Sequence, residues 1–387
     1  MSTRTAVVSG VLAFALVMSL GGAAQAAPGS WRVQPSPNVG TLANAFGGVS
    51  ALSRTDAWAV GTSQSESGTD FDTMAQHWNG TTWSVVPSPD GGILNRLNGV
   101  AQLASNDVWA VGENYNLDVQ AYQTLVEHWD GSAWTIVPSP NRGTRYDSLT
   151  SVVAVGPSDI WAVGVSQTSG PNIRNLTLTE HWDGSAWTIV PSPNRPQETS
   201  AWLLGVSAVG ATDVWAVGFD HTGALAEHWN GTSWSIVNTP NPGGALGDLT
   251  SVDALGASDI WAVGNSRVSG QQSRTLTEHW NGTSWTIVAS PSNGALNNFL
   301  AGVTALSPTD VWAVGTYAKQ QQLGSANRTI TEHWDGASWA IVPSPNPGSD
   351  SDVLLGCAAV GASAVFAVGG FEGTGAQRTL VLVNTHA

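Results

Sequence analysis

The sequence predicts an all-β fold, a seven-bladed β-propeller built from four-stranded antiparallel blades. Three observations support this: a motif recurring about every 50 residues, short β-branched runs separated by Gly and Pro, and an incomplete last repeat that the start of the chain can complete. The motif reads Asp-x-Trp-Ala-Val-Gly, and successive copies are 46 to 54 residues apart. Its aromatic residue stands at Trp58, Trp109, Trp161, Trp215, Trp261, Trp312 and, in a degenerate seventh copy, Phe366.

Residues 1–26 have the features of a secretory signal peptide. Arg4 supplies a positive charge, Ala6 to Leu20 is an apolar run, and Ala24-Gln25-Ala26 is a small-x-small cleavage site. We therefore expect a secreted protein, extracellular or in the cell envelope, whose residues 27–387 form a single propeller domain. No segment of this mature chain is apolar enough to predict a membrane span. Retention of the signal segment as an anchor remains the alternative.

The third repeat shows how one blade is built. β-branched residues predict strands at 149–155, 159–164, 178–182 and 187–190. Gly and Pro stand at the junctions, and no segment has a helical period. Between the last two strands, Asp183-Gly184 predicts a two-residue hairpin turn with positive φ at both residues.

An Asp-Gly or Asn-Gly dipeptide stands at this turn in all six complete repeats. Three of the dipeptides are also glycosylation sequons, and the other three have aspartate in the same place. Turn geometry therefore explains the residue better than glycosylation does. The asparagines are Asn79, Asn230 and Asn281, and the aspartates are Asp130, Asp183 and Asp335.

Tryptophan is the most regular residue of the chain. Of the 20 tryptophans, 19 occupy three repeat positions, and Trp202 is the exception. A buried aromatic side chain hides about 150–250 Å² of surface, worth about 4–6 kcal/mol before opposing costs. We therefore predict that the repeated tryptophans form the core.

The last repeat lacks a fourth strand, and the beginning of the mature chain carries the missing pattern. Residues 31–38 match residues 187–194, which form the fourth strand and exit of a complete repeat. An open array would leave unpaired sheet edges and exposed apolar ends. We therefore predict that Trp31–Pro35 pairs with Leu380–Val383 and closes a ring of seven blades.

Each repeat joins Val-x-Ala-turn-Asp-Val-Trp-Ala-Val-Gly to Glu-His-Trp-Asp-Gly-x-x-Trp-x-x-Val-Pro through a variable loop. Over nearly the whole mature chain, this pattern resembles the kelch and galactose-oxidase type of propeller repeat. The resemblance implies the fold and no particular activity. The repeats depart from that family, since Gly-Gly survives only at Gly369-Gly370 and Glu-His-Trp replaces its aromatic third strand. WD40 repeats fit less well, because their period is shorter.

Enzyme chemistry finds little support in the sequence. Galactose-oxidase chemistry needs a Tyr–Cys crosslink and copper ligands, but the only cysteine, Cys357, replaces the core valine of the other repeats. Sialidase-type Asp boxes require a different Asp-to-Trp spacing. Phosphate loops, zinc-ligand spacings and nucleophile elbows are also missing from the sequence. We therefore predict no catalytic residue, no cofactor and no metal.

The charge balance restricts the partners. The chain has 13 Lys and Arg against 28 Asp and Glu, a formal net charge of −15. Nucleic-acid binding requires clustered basic residues, so nucleic acid is not expected as a partner. We expect a monomer whose ligand is a carbohydrate or a protein.

The Glu-His-Trp segment suggests a metal site, but strand geometry argues against one. Neighbouring side chains point to opposite faces of a strand, so adjacent Glu and His cannot hold one ion. The Asp before the second-strand Trp and this His are lost together in the seventh repeat, as Ala364 and Val383. We therefore predict a structural Asp–His hydrogen bond in each of the first six blades: Asp56–His77, Asp107–His128, Asp159–His181, Asp213–His228, Asp259–His279 and Asp310–His333.

Candidate ligand-binding residues lie in the connections that differ between repeats. These connections emerge on one face, where propellers bind ligands, whereas the opposite turns are short and uniform. Aromatic rings beside polar groups suit sugar stacking and hydroxyl recognition. The candidates are Trp202, Tyr115, Tyr146, Asp147, His221 and Asp248, with Tyr122, Phe299, Tyr317 and Asp220 in comparable loops. Ordinary loop packing is the alternative reading for each.

The sequence thus favours a secreted, non-catalytic binding module that recognises carbohydrate or protein through variable loops on one face. Two alternatives stay open: a lyase or oxidoreductase acting at the channel mouth, and a purely structural module of the cell envelope. Asp253 replaces a small or apolar residue within a first strand, and the sequence offers no explanation for it.

Overall fold

The structure is a computed structural model that describes residues 29–169, 172–242, 246–294, 296–319, 326–361, 364–373 and 375–385. The predicted signal segment, residues 1–26, lies outside the described residues. Within the described residues, no helix has the length and apolarity needed to cross a membrane.

The described residues form 28 strands arranged as seven four-stranded antiparallel sheets. In chain order, they are β1 Trp31–Val33, β2 Asn44–Ser53, β3 Asp56–Gln64, β4 Phe71–Trp78, β5 Trp83–Val86, β6 Ile93–Ala104, β7 Asp107–Asn116, β8 Ala121–Trp129, β9 Trp134–Ile136, β10 Asp147–Gly156, β11 Asp159–Gln167, β12 Asn175–Trp182, β13 Trp187–Ile189, β14 Trp202–Gly210, β15 Asp213–Asp220, β16 Gly223–Trp229, β17 Trp234–Val237, β18 Leu246–Gly256, β19 Asp259–Arg267, β20 Arg274–Trp280, β21 Trp285–Ile287, β22 Asn298–Ser307, β23 Asp310–Ala318, β24 Asn327–Trp334, β25 Trp339–Ile341, β26 Ser351–Ala359, β27 Ala364–Glu372 and β28 Arg378–Thr385.

Blades 1 to 6 are each made of four consecutive strands, from β2–β5 through to β22–β25, and blade 7 is composite. In blade 7, β1 lies on the outer edge of β28, followed inward by β27 and β26. The register pairs Trp31 with Asn384 and Arg32 with Val383. The predictions of seven blades and of a ring closed by the strand that begins at Trp31 are therefore confirmed.

The core lies between neighbouring blades and is built from tryptophans. Trp58 of blade 1 packs against Trp129 and Trp134 of blade 2, with ring centroids 5.0 and 5.1 Å apart. At the closure, Trp31 meets Trp312 of blade 6 edge-on at 5.3 Å. The strand that closes the ring thus takes part in the same inter-blade packing as the complete blades.

The Trp-Ala-Val-Gly motif of each second strand ends in glycine because the backbone of the first strand lies very close to that position. A Cβ built at Gly164 would overlap the backbone carbonyl oxygen of Ser148. The equivalent glycines of the other blades face the same obstruction. The motif glycine is therefore a packing requirement of the blade.

The turn between the third and fourth strands differs from the predicted two-residue hairpin. Trp182 pairs with Trp187, so the loop contains four residues, and within it only Gly184 has positive φ. The Asp183 carboxylate accepts hydrogen bonds from the backbone N–H groups of Ser185 (2.8 Å) and Ala186 (3.0 Å). An asparagine side chain offers the same oxygen, so Asp and Asn exchange freely at this position.

Asp253, which the sequence left unexplained, links neighbouring blades. Its Oδ2 accepts the backbone N–H of Ala305 in blade 6 at 2.8 Å. At the equivalent position of blade 4, the hydroxyl of Ser207 accepts the N–H of Ala254 at 3.1 Å. Asp253 therefore serves the same purpose as the Ser or Thr of other blades. Burial raises the pKa of its carboxyl group.

Candidate functional site

The six Asp and six His residues predicted to form pairs lie in contact within their blades. In every pair, His Nε2 is 2.8 or 2.9 Å from Asp Oδ1. Each His ring also lies against the second-strand Trp of its own blade, for example His128 against Trp109 with centroids 4.3 Å apart. Each contact joins one Asp to one His, a geometry suited to fixing two adjacent strands.

The Glu that precedes each of five of these His residues lies on the opposite face of the third strand and is completely buried. Glu180, Glu227 and Glu278 are 0% exposed, and within the described part of the chain neither oxygen of any of the three has a hydrogen-bond partner. Burial raises the pKa of Glu278 to about 8 and the pKa of Glu180 well above its usual value. Glu278 is therefore protonated at neutral pH, and burial favours the neutral form of Glu180 and Glu227 as well.

Blade 1 carries the neutral amide counterpart of these glutamates. Gln76 stands at the same position and donates its Nε2–H to the carbonyl oxygen of Pro37 at 2.9 Å. A protonated glutamate can donate one hydrogen bond in the same way. The buried glutamates are thus part of the blade interface and are not available to a ligand.

An aromatic ribbon crosses the face that carries the variable connections. It consists of Tyr115, Tyr122, Tyr146, Trp202 and Phe219, all partly exposed. Successive ring centroids are 5.1, 5.3, 6.1 and 6.3 Å apart. The ribbon is continuous from blade 2 to blade 4.

Strand pairing sets the positions of these rings. Tyr115 lies opposite Tyr122 across β7 and β8, and Trp202 lies opposite Phe219 across β14 and β15. Tyr146 forms a parallel bridge with Tyr122 just before β10 begins. Burial and the charge of Glu113 raise the pKa of Tyr146, so its hydroxyl stays protonated and can donate.

Two buried carboxylates lie at the blade 4 end of the ribbon. Glu198 Oε2 accepts a hydrogen bond from Nδ1 of the exposed His221 at 2.6 Å. Asp220 Oδ2 accepts one from Nε of Arg195 at 2.7 Å. His221 follows Phe219 by two residues, and Glu198 precedes Trp202 by four. The two carboxylates and the imidazole therefore each stand within four residues of one of the last two rings in the sequence.

Glu198, Asp220 and His221 are close enough together to resemble a metal site, but their atoms are already engaged. Besides His221, Glu198 accepts the backbone N–H groups of Thr199 and Ser200 at 2.8 and 2.7 Å. Besides Arg195, Asp220 accepts the backbone N–H and the hydroxyl of Thr222. A cation would have to displace these donors, including a guanidinium, so the cluster is better suited to hydrogen bonding than to metal binding.

Asp147 lies next to the ribbon in sequence but not at its surface. It is 1% exposed, and its Oδ2 accepts the backbone N–H of Gly143 at 2.7 Å. Asn44, Asn95, Asn298 and Asp352 hold the preceding loops of other blades in the same way. Asp147 therefore anchors a loop and does not line a ligand surface.

Asp248 belongs to a different cavity, in blades 5 and 6. This cavity has a volume of about 660 Å³ and is lined by Asp248, Arg267 and Phe299 among others. Asn265 donates its Nδ2–H to Asp248 at 3.4 Å, and burial raises the pKa of the aspartate. The structure therefore brings Tyr115, Tyr146, Trp202 and His221 into one region and leaves Asp248 outside it.

The repeat itself marks this face as variable. The residue just before the core Leu or Phe of each first strand differs in every blade, whereas that core residue is always apolar. The seven residues at this position are Ala45, Arg96, Ser148, Trp202, Asp248, Phe299 and Val353. Phe219, which sequence reasoning missed, faces this position across β14 and β15 and could have been found from the second-strand residue after the motif glycine. Glu198 lies in an irregular connection whose sequence gave no such signal.

Comparison with known proteins shows the fold of the chain but neither its family nor its function. No protein-family model and no curated protein matches the chain. Among solved structures, it is similar to YCF48 bound to D1 peptide, with 15% identity, a TM-score of 0.56, and 93% of this chain and 100% of that chain covered. It is also similar to the RRP9 WD40 repeats, with 9% identity, a TM-score of 0.60, and 94% and 100% covered.

A third similar structure is an ulvan lyase bound to a saccharide, with 12% identity, a TM-score of 0.52, and 89% and 97% of the two chains covered. At these identities, the similarity shows the β-propeller fold alone. The three proteins are a peptide complex, a WD40 protein and a polysaccharide lyase, so they identify neither the repeat family nor the function.

Proposed function

We propose that the protein is a binding module that holds a carbohydrate chain along the aromatic ribbon. The observation that carries the proposal is the continuity of five partly exposed rings across blades 2 to 4. Rings held by strand pairing lose little freedom when a ligand stacks on them, so less entropy opposes binding. A row of such rings fits an extended ligand with repeated apolar faces.

Polar groups at the end of the ribbon supply the hydrogen bonds that a sugar requires. His221 is exposed and follows Phe219 by two residues, and Asp220 of the Arg195–Asp220 pair lies close to it. The net charge of −15 disfavours polyanions. The proposed ligand is therefore a neutral polysaccharide rather than a uronate or sulphated one.

The test compares Trp202→Ala with Phe299→Ala, which truncates an aromatic residue at the equivalent position of blade 6. Binding to a panel of soluble neutral polysaccharides is measured by affinity electrophoresis and calorimetry. Removing Trp202, which interrupts the ribbon between Tyr146 and Phe219, should weaken binding about tenfold or more, while Phe299→Ala leaves it unchanged. Equal effects of the two variants, or no binding by the wild-type protein, would contradict the proposal.

The Glu198–His221 pair favours a second candidate function, cleavage of the bound saccharide. A histidine whose Nδ1–H donates to a buried carboxylate presents Nε2 in a fixed orientation, which is the arrangement of a general base. The measurement is release of new chain ends from polysaccharides that the protein retains. Release that disappears in His221→Gln, which keeps a hydrogen-bonding side chain but cannot accept a proton, while the polysaccharide is still retained, supports catalysis; retention without release by the wild-type protein supports binding alone.

We also propose that the repeats are of the kelch type and that the protein works outside the cell. The first proposal rests on the hydrophobic-Gly second strand and the Trp-x-x-Val fourth strand, and the second on the signal features of residues 1–26. N-terminal sequencing of the exported protein tests the second. We expect a chain that begins at Ala27; an intact Met1 would contradict cleavage.

A further inference from the structure

At the junction between blades 7 and 1, six of the residues that depart from the repeat line one pocket. This pocket lies on the face opposite the aromatic ribbon, at the end where first and second strands join. The six residues are Arg32, Gln34, Arg54, Ala364, Phe366 and Val383. Leu382 and Asn384 of blade 7 also depart from the repeat but do not line this pocket, so it is the chemistry of the pocket itself that points to a ligand.

The floor of the pocket exists because blade 7 has lost its Asp–His pair. Ala364 stands in place of the Asp, and Val383 lies opposite Phe366, as each His lies opposite a Trp in the other blades. Ala364, Phe366 and Val383 are smaller than the Asp, Trp and His at these positions in the other blades, and they leave a cavity of about 230 Å³. The cavity borders Trp78 of blade 1, whose ring centroid is 5.8 Å from that of Phe366. The result is an apolar floor that no complete blade can form.

Arg32 stands where every complete blade has a small side chain. It lies opposite Val383 on the edge strand, and its Nη2 donates to the hydroxyl of Thr385 at 3.1 Å. The residues opposite the histidines in the other blades are Ser84, Thr135, Thr188, Ser235, Thr286 and Ala340.

Arg54 is a second departure of the same kind. Its carbonyl oxygen accepts the Nε1–H of Trp78 at 3.0 Å. The residues whose carbonyl oxygens accept the matching tryptophan bond elsewhere are Ser105, Pro157, Ala211, Ala257 and Pro308. Both arginines are exposed, and no carboxylate lines the pocket among the residues described.

Two arginines over an apolar floor are conspicuous in a chain with 28 acidic and 13 basic residues. A guanidinium binds a carboxylate through paired hydrogen bonds, and an adjoining apolar wall strengthens them by excluding water. The volume is below the roughly 300–1,000 Å³ of pockets for drug-sized ligands, so one ring or one apolar side chain fits. We propose that this pocket binds a carboxylate attached to a single apolar or aromatic group.

Such a group can be a free acid or the C-terminal residue of a peptide, and the probes distinguish these sources. Phenylacetate represents the free acid, N-acetyl-L-phenylalanine represents the peptide end, and phenylacetamide is the neutral control. Binding to the full mature chain is followed by calorimetry and by the NMR signal of the Trp78 indole. We expect at least one acid to bind and the amide to bind much more weakly; the tighter acid identifies the source.

Arg32→Ser with Arg54→Ser copies residues found in other blades and should keep the fold, which a thermal melt checks. This double variant should weaken acid binding by about tenfold or more, because charge-assisted hydrogen bonds are lost. Arg174→Ser with Arg267→Ser removes the same charge elsewhere and should leave binding unchanged. Ala364→Asp with Val383→His rebuilds the pair of the other blades, fills the floor and should abolish binding.

Three results would each overturn the proposal. They are equal affinity for phenylacetate and phenylacetamide, equal loss in the two double-arginine variants, and absence of binding by the wild-type protein. None of them bears on the aromatic ribbon, which lies on the other face.

Discussion

Blade 7 has the same four-stranded antiparallel fold as blades 1 to 6, but different side-chain contacts stabilise it. Each of the six joins its second and third strands by an Asp–His contact and draws all four strands from one stretch of chain. Blade 7 replaces that contact with Ala364 and Val383 and takes its outer strand from the opposite end of the chain. Since Phe366 and Val383 keep the register of the other blades, the polar contact is not needed to set it.

The difference separates two kinds of repeated residue. The motif glycines and second-strand aromatics occur in all seven blades, so the fold depends on them. The Asp–His contact and the buried Glu occur in fewer blades, so they adjust stability. The predictions that follow test this division from the largest effect to the smallest.

Truncating the closing strand should have the largest effect. Trp31 is 4% exposed and packs on Trp312, as Trp187 packs on Trp109. Trp31→Ala should lower the free energy of unfolding by about 3–5 kcal/mol, like any buried aromatic truncation. Denaturant unfolding of Trp31→Ala and Trp187→Ala checks this. A cost near zero for Trp31 alone would mean that the ring holds without its closing strand.

The buried glutamates should make stability depend on pH. Burial raises the pKa of Glu278 to about 8 in the folded protein, from a usual value of 4.5. The folded state then binds the proton more tightly, so stability is full below about pH 4.5 and falls as pH rises towards 8. Glu278→Gln, which copies Gln76, should be more stable than wild type at pH 8 by about 4 kcal/mol and similar at pH 4.5.

Unfolding curves of both proteins at the two pH values give the measurement. Gln76→Glu is the reverse change and should steepen the loss of stability with pH. A pH-independent difference between Glu278→Gln and wild type would show that this carboxyl is ionised in the folded protein.

Removing one Asp–His contact should have a moderate effect. Both side chains of the Asp159–His181 pair are about a quarter exposed, at 23% and 25%. Asp159→Ala should therefore cost about 1–2 kcal/mol, less than a fully buried charge-assisted hydrogen bond. Asp159→Ala with His181→Val reproduces the combination of blade 7 and should recover part of the loss. Thermal melting measures both, and an unchanged midpoint for Asp159→Ala would rule out a stabilising contact.

Exchanging the turn residue should have the smallest effect. The Asn281 oxygen accepts the N–H groups of Thr283 and Ser284 at 3.0 and 3.1 Å, and an aspartate can do the same. Asn281→Asp should change stability by less than about 0.5 kcal/mol, whereas Asn281→Ala should cost about 1 kcal/mol. Equal effects of the two variants, measured by denaturant unfolding, would contradict the turn assignment.

The repeated parts could be predicted from the sequence, and the unique parts only in outline. Period, blade number and ring closure follow from seven copies of one pattern. The aromatic ribbon is harder to predict from the sequence, because Tyr146 and Trp202 are 56 residues apart and come into contact only when their blades pack together. The sequence predicts Asp147 as a ligand residue, but the residue is buried and anchors a loop. Burial of a single loop carboxylate cannot be recognised from the sequence. The Asp-Gly dipeptide predicts a two-residue turn between the third and fourth strands. The hydrogen bonds that the aspartate accepts from the backbone instead favour a four-residue loop.

The most direct test of the account is a disulfide between the two ends of the chain. Arg32 and Val383 lie opposite each other on β1 and β28, and opposed residues of antiparallel strands are close enough for a disulfide. His181→Cys with Thr188→Cys makes the matched pair within blade 3. The account predicts that Arg32→Cys with Val383→Cys forms a 32–383 disulfide, found by peptide mass spectrometry, and raises the melting temperature. A disulfide at 181–188 but none at 32–383 would contradict closure of the ring by β1.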